Sequence, residues 1–311
     1  MKVVRSLARA RGCFEKPVVT IGNFDGVHRG HQVILDQVRR DADQRGVEAV
    51  ALTFHPHPVS VLRPQAAPKQ LMTLRDRLEA LRECGLDATV VQQFSRSFAD
   101  IEAGDFVRGF LVETLGVQKL VVGHDINFGR NRAGSTRTLV DEGRRYDFAV
   151  EVIHPVTVDG LVVHSSAVRR AVASGEVALA AKLLGRSHFV RGRCVHGAGV
   201  GRGLGFATVN LALATELVPA DGVYATVARL GRERVDGVTS IGNRPTFDGG
   251  ARVVESHLFE FDRDAYGEVV VLEFVDRLRD QKKFDDAAAL GRQVGADIER
   301  AKVVLAAARG K

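Results

Sequence analysis

The sequence predicts two domains of different class: an α/β domain with a parallel sheet, then an antiparallel β-barrel domain that a C-terminal helix closes. Three observations predict this fold. Up to about residue 186, short valine-rich runs alternate with stretches of helical spacing. Beyond it, apolar residues alternate with period two, and the tail is rich in alanine. A chain of 311 residues, 45% of them hydrophobic, is long enough for two cores. We expect domains at 1–186 and 187–311.

The first domain is predicted from strands and helices that follow each other in turn. The apolar runs lie at 17–22, 48–54, 88–92, 118–123 and 148–153. Helical spacing is seen at Ile34, Val38 and Ala42, at Leu74, Leu78 and Leu81, and over 102–115 and 135–145. Such alternation favours a parallel sheet with helices on both faces, whose ligands bind beyond the carboxyl ends of the strands.

The second domain is predicted from segments of period two that glycine, proline and aspartate turns separate. These segments are 188–196, 222–230, 234–241, 252–261 and 268–276. In the tail from Phe284 to about Ala308, Leu290, Val294 and Ile298 recur every four residues, which predicts the closing helix.

Composition narrows the function classes. The net charge of +6 and the dominance of arginine, 35 of 44 basic residues, suggest an anionic ligand, although high genomic GC content also explains the arginines. The basic residues are scattered, so nucleic acid is not expected as a partner. No run reaches the roughly 18 apolar residues of a membrane span. Cys13, Cys84 and Cys194 lie far apart, which fits a reducing cytoplasm and neither a disulfide framework nor a zinc site. An oligomer is possible.

The stretch GNFDGVHRGH, residues 22–31, joins the first predicted strand to a helix that begins near Arg29. A helix N-terminus after a glycine turn favours phosphate, and His28 and His31 are spaced to face one way over the first turn. There they can donate hydrogen bonds to a phosphoryl group in its transition state. Metal binding is a rival, but carboxylate and cysteine partners are not clustered nearby. The nucleotide-binding candidates in the turn are Gly22, Asn23, Phe24, Asp25 and Gly26.

This stretch resembles the signature of the HxGH nucleotidyltransferase superfamily. With further motifs, the chain is similar to the bifunctional bacterial riboflavin kinase/FMN adenylyltransferase, or FAD synthetase, family. The motifs are TFHPHPVSVL at 53–62 and VVGHDINFGRNRAG at 121–134. The resemblance implies a Rossmann-like nucleotidyltransferase domain whose flavin side includes Phe54, Pro56, His57, Pro58 and Asp125. From the residues alone, Phe54 can either stack on a flavin or cap the core.

The segment HSSAVR, residues 164–169, corresponds to a family SSTxIR-like segment. The resemblance implies that Ser165, Ser166 and Arg169 hold triphosphate oxygens, with arginine as the bidentate partner. His164 stands where the family has its first serine. A serine that caps the following helix is compatible with this role.

The segment HGAGVGRGLGFATVN, residues 196–210, is interpreted as a mobile loop against a nucleotide, because it has β context and no following helix. Its glycine candidates are Gly197, Gly199 and Gly203. The family reads GFPTAN here, which implies that Thr208 and Asn210 approach Mg²⁺ and phosphate. Ala207 and Val209 replace the family's proline and alanine.

The second domain resembles the kinase half over IGNRPTFDGG, residues 241–250, and over 253–285. Glu255 takes the position of the family's catalytic glutamate, the base for the riboflavin 5′-hydroxyl. By periodicity alone it is one outward-facing strand residue.

The resemblance therefore implies a bifunctional enzyme of FAD biosynthesis that uses ATP and Mg²⁺. The barrel would phosphorylate riboflavin to FMN, and the α/β domain would adenylylate FMN to FAD and pyrophosphate. Two alternatives remain at this point: another HxGH nucleotidyltransferase, or a flavin-binding protein that has lost an activity.

Overall fold

The computed structural model describes residues 1–196, 208–243 and 252–310. Its chain divides into two compact units, Met1–Lys69 with Leu74–His164, and Gln70–Thr73 with Ser165–Lys311. The first unit is the α/β unit below, and the second is the barrel unit. The predicted boundary at 186/187 stays a prediction. Gly197, Gly199, Gly203 and Ala207 lie outside the described residues.

The α/β unit contains a six-stranded parallel sheet of order β1-β4-β3-β2-β5-β6. Its strands are β1 (Lys2–Val4), β2 (Val18–Ile21), β3 (Ala49–His55), β4 (Ala88–Gln93), β5 (Lys119–Gly123) and β6 (Ala149–Ile153). A short hairpin follows, made of β7 (Thr157–Val158) and β8 (Leu161–Val162). The predicted α/β class is confirmed, and β1 is a strand that the sequence patterns missed.

The helices of this unit connect the strands. They are α1 (Arg29–Arg45), α2 (Pro58–Leu62), α3 (Leu74–Glu83), α4 (Arg96–Ala99), α5 (Ala103–Phe106) and α6 (Thr136–Tyr146). The stretch predicted as one helix over 102–115 is α5 followed by a π-helical segment, Val107–Val112. The core lies between sheet and helices, where Val50, Leu52 and Leu120 are fully buried.

The barrel unit begins with two helices, α7 (Ser165–Ser174) and α8 (Val177–Leu184). Six antiparallel strands then close a barrel of order β10-β13-β12-β11-β14-β9. They are β9 (His188–Val195), β10 (Thr208–Leu213), β11 (Gly222–Leu230), β12 (Glu233–Asn243), β13 (Arg252–Leu258) and β14 (Val269–Arg279). The predicted barrel is confirmed. The interpretation of 196–210 as a loop is wrong at its end, because Thr208 opens β10.

The closing helix α9 (Ala287–Arg309) is confirmed. It packs over outward-facing apolar residues of the barrel, and Ala301 and Leu305 are buried there. Arg279 of β14 forms a bidentate ion pair with Asp297, which is 4% exposed. Among the described residues, no helix is both long and apolar enough to cross a membrane.

Candidate functional sites

The strand order of the α/β unit locates its ligand site. Strands β3 and β4 lie in turn on one side of β2, and the chain then crosses to the other side of β2 to form β5 and β6. The order therefore reverses between β2 and β5, and the crevice outside their carboxyl ends is where open α/β sheets bind ligands. The loops that follow β2 and β5 begin at Gly22 and Gly123, so the predicted GNFDGVHRGH stretch lies at this switch point.

The loop between β2 and α1 has an unusual backbone. Phe24, Gly26 and Val27 have φ of 49°, 87° and 39°, in the left-handed region. For a β-branched residue such as Val27 this is a true outlier, and such strain costs about 1–3 kcal/mol. The loop is held by burial of Phe24 and Val27, each 1% exposed, and by Gln32, whose Nε2 donates to the Val27 carbonyl at 2.9 Å. Strain of this kind is typical of binding sites.

His28 and His31 meet at the start of α1. His28 is the N-cap, and its Nδ1 accepts a hydrogen bond from the His31 backbone N–H at 3.3 Å. The two rings are stacked, with centroids 3.6 Å apart. Because Nδ1 is an acceptor, a neutral His28 carries its proton on Nε2. This hydrogen bond therefore fixes the tautomer and the orientation of the His28 ring.

Gly30 allows another segment to approach this helix start. A Cβ on Gly30 would lie 3.2 Å from the His28 ring and 3.3 Å from the Val163 carbonyl oxygen. The chain that leads into HSSAVR therefore passes the first turn of α1. Ser165 and Ser166 open α7, and Arg169 lies one turn further on.

The FHPHP motif forms the end of β3 and the start of α2. The His55–Pro56 peptide bond is cis, and Pro58 is the first residue of α2. His57 caps this helix, since its Nδ1 accepts from the Val59 backbone N–H at 3.2 Å. The structure thus gives His57 a local capping role beside the predicted flavin contact.

Phe54 belongs to a group of phenylalanines that the sequence analysis did not single out. Its ring centroid lies 5.9 Å from those of both Phe94 and Phe98. The contacts continue through further rings, which are Phe106, Phe110 and Phe128. Phe54 is half-buried and packs against the core, which supports its role as a cap of the core, and its flavin contact stays a prediction. The spacing of phenylalanine at 94, 98, 106 and 110 was the available signal.

Asp125 lies on the loop that follows β5. Its side chain is exposed, and its Oδ1 would be 3.3 Å from a Cβ on Gly123. Asn127 donates from Nδ2 to the Asp125 carbonyl at 2.8 Å, which fixes the turn. This aspartate therefore stands at the switch-point edge.

The barrel unit brings together the three residues predicted for phosphoryl transfer. Asn210 of β10 pairs with Glu255 of β13, and the Thr208 hydroxyl donates to Glu255 Oε1 at 2.7 Å. Alternate neighbours Val209 and Val254 point into the barrel core, so the three polar side chains share the outer face. On this face Ser240 of β12 pairs with Glu255.

Gln281 is a further residue beside this face that the sequence analysis missed. Its Nε2 donates to Ser240 Oγ at 2.8 Å and to the Ile241 carbonyl at 2.9 Å. These hydrogen bonds hold the segment after β14 against β12, the strand that pairs with Glu255. A glutamine in a polar segment gives no periodic signal, which is why the sequence did not reveal it.

The sites contain hydroxyl, amide and carboxylate groups. Within residues 1–196, 208–243 and 252–310, no three His, Cys, Asp or Glu side chains come together as a metal-binding group. Oxygen donors such as those of Thr208 and Asn210 fit Mg²⁺, which keeps several waters and binds through few protein ligands together with substrate phosphates.

The fold and its sites are those of a two-domain transferase of phosphorus-containing groups. One site has paired histidines at a helix start at the switch point, and the other has a threonine–glutamate pair on a barrel. Residues 11–167 match the FAD synthetase family model, and residues 184–305 match the riboflavin kinase model. The chain belongs to the bifunctional riboflavin kinase/FMN adenylyltransferase family. The family resemblance that the motifs indicated is confirmed. The family models and the relatives support a bifunctional enzyme over the two alternatives, another HxGH nucleotidyltransferase or a flavin-binding protein that has lost an activity.

Relatives cover nearly the whole chain. The bifunctional riboflavin kinase/FMN adenylyltransferase of Haemophilus influenzae is 37% identical and covers 97% of this chain and 98% of its own. The enzyme of that name from Pseudomonas fluorescens is 38% identical, with 98% of each chain covered. A crystal structure described as a macrolide-efflux protein from Streptococcus pneumoniae is 28% identical, covers 97% of this chain and 99% of its own, and has a TM-score of 0.87.

Proposed function

We propose that the barrel unit converts riboflavin and ATP to FMN, that the α/β unit converts FMN and ATP to FAD and pyrophosphate, and that the two reactions use separate side chains. The observation that carries the proposal is the stacked His28–His31 pair, which opens α1 at the switch point of the sheet. The enzyme would act in a reducing cytoplasm, which fits its use of ATP and its three free cysteines.

In the α/β unit, an oxygen of the FMN phosphate attacks the α-phosphorus of ATP. A new P–O bond forms as the bond to pyrophosphate breaks, and no covalent enzyme intermediate is needed. The Nε2–H of His28, the ring of His31 and the N-terminus of α1 stabilise the charge that develops on the phosphoryl oxygens. The family resemblance implies that Ser165, Ser166 and Arg169, at the start of α7, hold the triphosphate. Asn23 and Asp125 line the loops at the strand ends.

The flavin side of this unit is formed by the phenylalanines around Phe54. Aromatic rings offer a large apolar surface, and offset stacking on a flat ligand is favourable. Phe54 stands at the end of β3, with Pro56, His57 and Pro58 directly after it, so an isoalloxazine ring at the strand ends reaches Phe54.

In the barrel unit, Glu255 accepts the proton of the riboflavin 5′-hydroxyl as its oxygen attacks the γ-phosphorus of ATP, and ADP leaves. The Thr208 hydroxyl donates to Glu255 Oε1 and holds the carboxylate in place for this proton transfer. Thr208 and Asn210 would hold Mg²⁺, which when bound neutralises phosphate charge.

Variants in each unit test the assignment, with flavin products from riboflavin, ATP and Mg²⁺ separated by chromatography. His31→Ala should abolish FAD formation and leave FMN formation near the wild-type rate. Glu255→Gln should stop FMN formation, while supplied FMN is still converted to FAD. A folded variant that loses both FMN formation from riboflavin and FAD formation from supplied FMN would contradict separate sites. A wild-type chain that binds flavin and yields no product would contradict the function itself.

A further inference from the structure

Arg77, on α3, is among the largest fully buried side chains of the described residues, with 2% of its surface exposed. Burial of a charged side chain is costly unless the charge is paired and hydrogen-bonded. No motif and no part of the mechanism above uses this residue. Its Nε makes no hydrogen bond within the described part of the chain. Departures of this kind from the usual packing rules are expected at functional or strained sites.

The guanidinium group of Arg77 contacts the end of β3. Its Nη1 donates to Thr53 Oγ1 at 3.3 Å and to the Phe54 carbonyl at 3.0 Å. The Thr53 hydroxyl in turn donates to the Asn23 carbonyl at 3.3 Å, and Thr53 is fully buried. One chain of hydrogen bonds therefore runs from α3 through β3 into the loop between β2 and α1.

The same loop supplies a charge of opposite sign. Asp25 is 1% exposed, and it attracts the guanidinium: burial lowers the pKa of Arg77, and the Asp25 carboxylate opposes that change. The loop thus has two attachments to Arg77, one through the hydrogen bonds by way of Thr53 to the Asn23 carbonyl and one through the electrostatic attraction of Asp25.

These attachments fall on either side of the strained residue Phe24, whose φ is 49°. A strained loop keeps its conformation only when its surroundings over-determine it. The conformation matters because the loop sets the position of His28, the N-cap of α1. Displacement of a reacting group by 1 Å can reduce a rate by about 100-fold.

We propose that Arg77 is a positioning residue of the adenylyl-transfer site, a buried cation that fixes the loop between β2 and α1 and thereby the two histidines. The proposal rests on the assignment of His28 and His31 to FMN adenylylation. It also changes the interpretation of Asp25, from a nucleotide contact to the buried counter-charge of Arg77.

The test compares Arg77→Met, Arg77→Lys and Thr53→Val in the full chain, by kcat and KM for FAD formation from FMN and ATP. The kinase turnover of the same chain is an internal control. Arg77→Met should lower kcat by about 100-fold with a smaller change in KM, because transition-state alignment is lost. Arg77→Lys, which keeps a buried cation, should recover about tenfold of that loss, the equivalent of one charge-assisted hydrogen bond. Thr53→Val should reduce kcat by about fivefold.

Lys119→Met is the matched control. Lys119 is also a largely buried cation of the α/β unit, paired with Asp41 at 2.7 Å and Glu151 at 2.6 Å. It stands at the amino end of β5, away from the ligand edge. The control should lose thermal stability and keep the wild-type kcat per folded molecule.

A positioning role predicts that Thr53→Val has no further effect in the Arg77→Met background, since both act through one chain of contacts. If Arg77→Met behaves as Lys119→Met does, with lower stability and unchanged kcat, the proposal is overturned. Should Arg77→Met not fold, a wild-type kcat for Thr53→Val overturns it instead. His31→Ala separates the two levels: if that variant still forms FAD, the site assignment itself is wrong.

Discussion

The buried histidine of the barrel unit makes stability depend on pH in a calculable way. His188, the first residue of β9, is 3% exposed, and its Nε2 lies 3.3 Å from the Leu217 carbonyl oxygen. Burial lowers the pKa of His188 from 6.5 to about 4; the Leu217 carbonyl opposes the change and the charge of Arg186 adds to it. The imidazole is therefore neutral in the folded barrel at neutral pH, with its proton on Nε2 toward the carbonyl.

The sign follows from the two pKa values. Below pH 6.5 the unfolded chain takes up a proton on His188 while the folded chain does not, so stability is fully present above that pH and falls as the pH decreases toward 4. One pKa unit corresponds to about 1.4 kcal/mol, so the total loss at acid pH is about 3 kcal/mol. Between pH 7.5 and pH 5 the barrel should lose about 2 kcal/mol through this histidine alone.

The assay is urea unfolding at pH 7.5 and pH 5, with the barrel transition followed by hydrogen exchange of β9 and β14 amides. His188→Gln keeps an N–H donor for Leu217 and cannot titrate, so its barrel should lose about 2 kcal/mol less than the wild type between these pH values. His154→Gln, at an exposed histidine of the α/β unit, is the control and should follow the wild type. The same pH dependence in wild type and His188→Gln would refute the reasoning.

Two further predictions concern a close contact and an ion pair. Gly30→Ala places a methyl group 3.2 Å from the His28 ring and 3.3 Å from the Val163 carbonyl oxygen. The His28 ring should then shift by a few tenths of an ångström, and kcat for FAD formation should fall by about tenfold. An unchanged kcat in steady-state assays would contradict this prediction. Asp297→Asn leaves the Arg279 guanidinium, whose side chain is 13% exposed, without its buried counter-charge. Calorimetry should show the barrel transition destabilised by about 3 kcal/mol, and a change below the experimental error would count against the prediction.

The sequence patterns predicted the fold well where a periodic signal extends over many residues. The five apolar runs of the first domain are strands β2 to β6, and the segment 222–230 is β11 to the residue. Strand β1 was missed because three residues, Lys2–Val4, are too few for a period, and only pairing with β4 makes them a strand. Strand β10 was missed because a glycine-rich segment precedes it and directs attention to a loop.

Only those site residues that stand in sequence motifs could be predicted from the sequence. His28, Glu255 and Thr208 carry chemistry in their side chains and stand in motifs, so the sequence points to them. Gln281 and Arg77 act through contacts with residues far away in the chain, and no local pattern encodes these contacts. The helical spacing of α3 pointed to Leu74 and Leu78, while the fold buries Arg77 more completely than either of them.

The motif GNFDGVHRGH therefore contains residues of two kinds. Those at its end, His28 and His31, present ring nitrogens at a helix start and are suited to meet phosphate. Those in its middle, Phe24 and Asp25, are 1% exposed, so the protein covers almost all of their surface. Their residue types are needed for a different reason, because a strained turn requires an anchor in the core and a buried charge requires a partner. Substitutions in the middle of the motif should thus act on the geometry of the histidines, and those at its end on the chemistry.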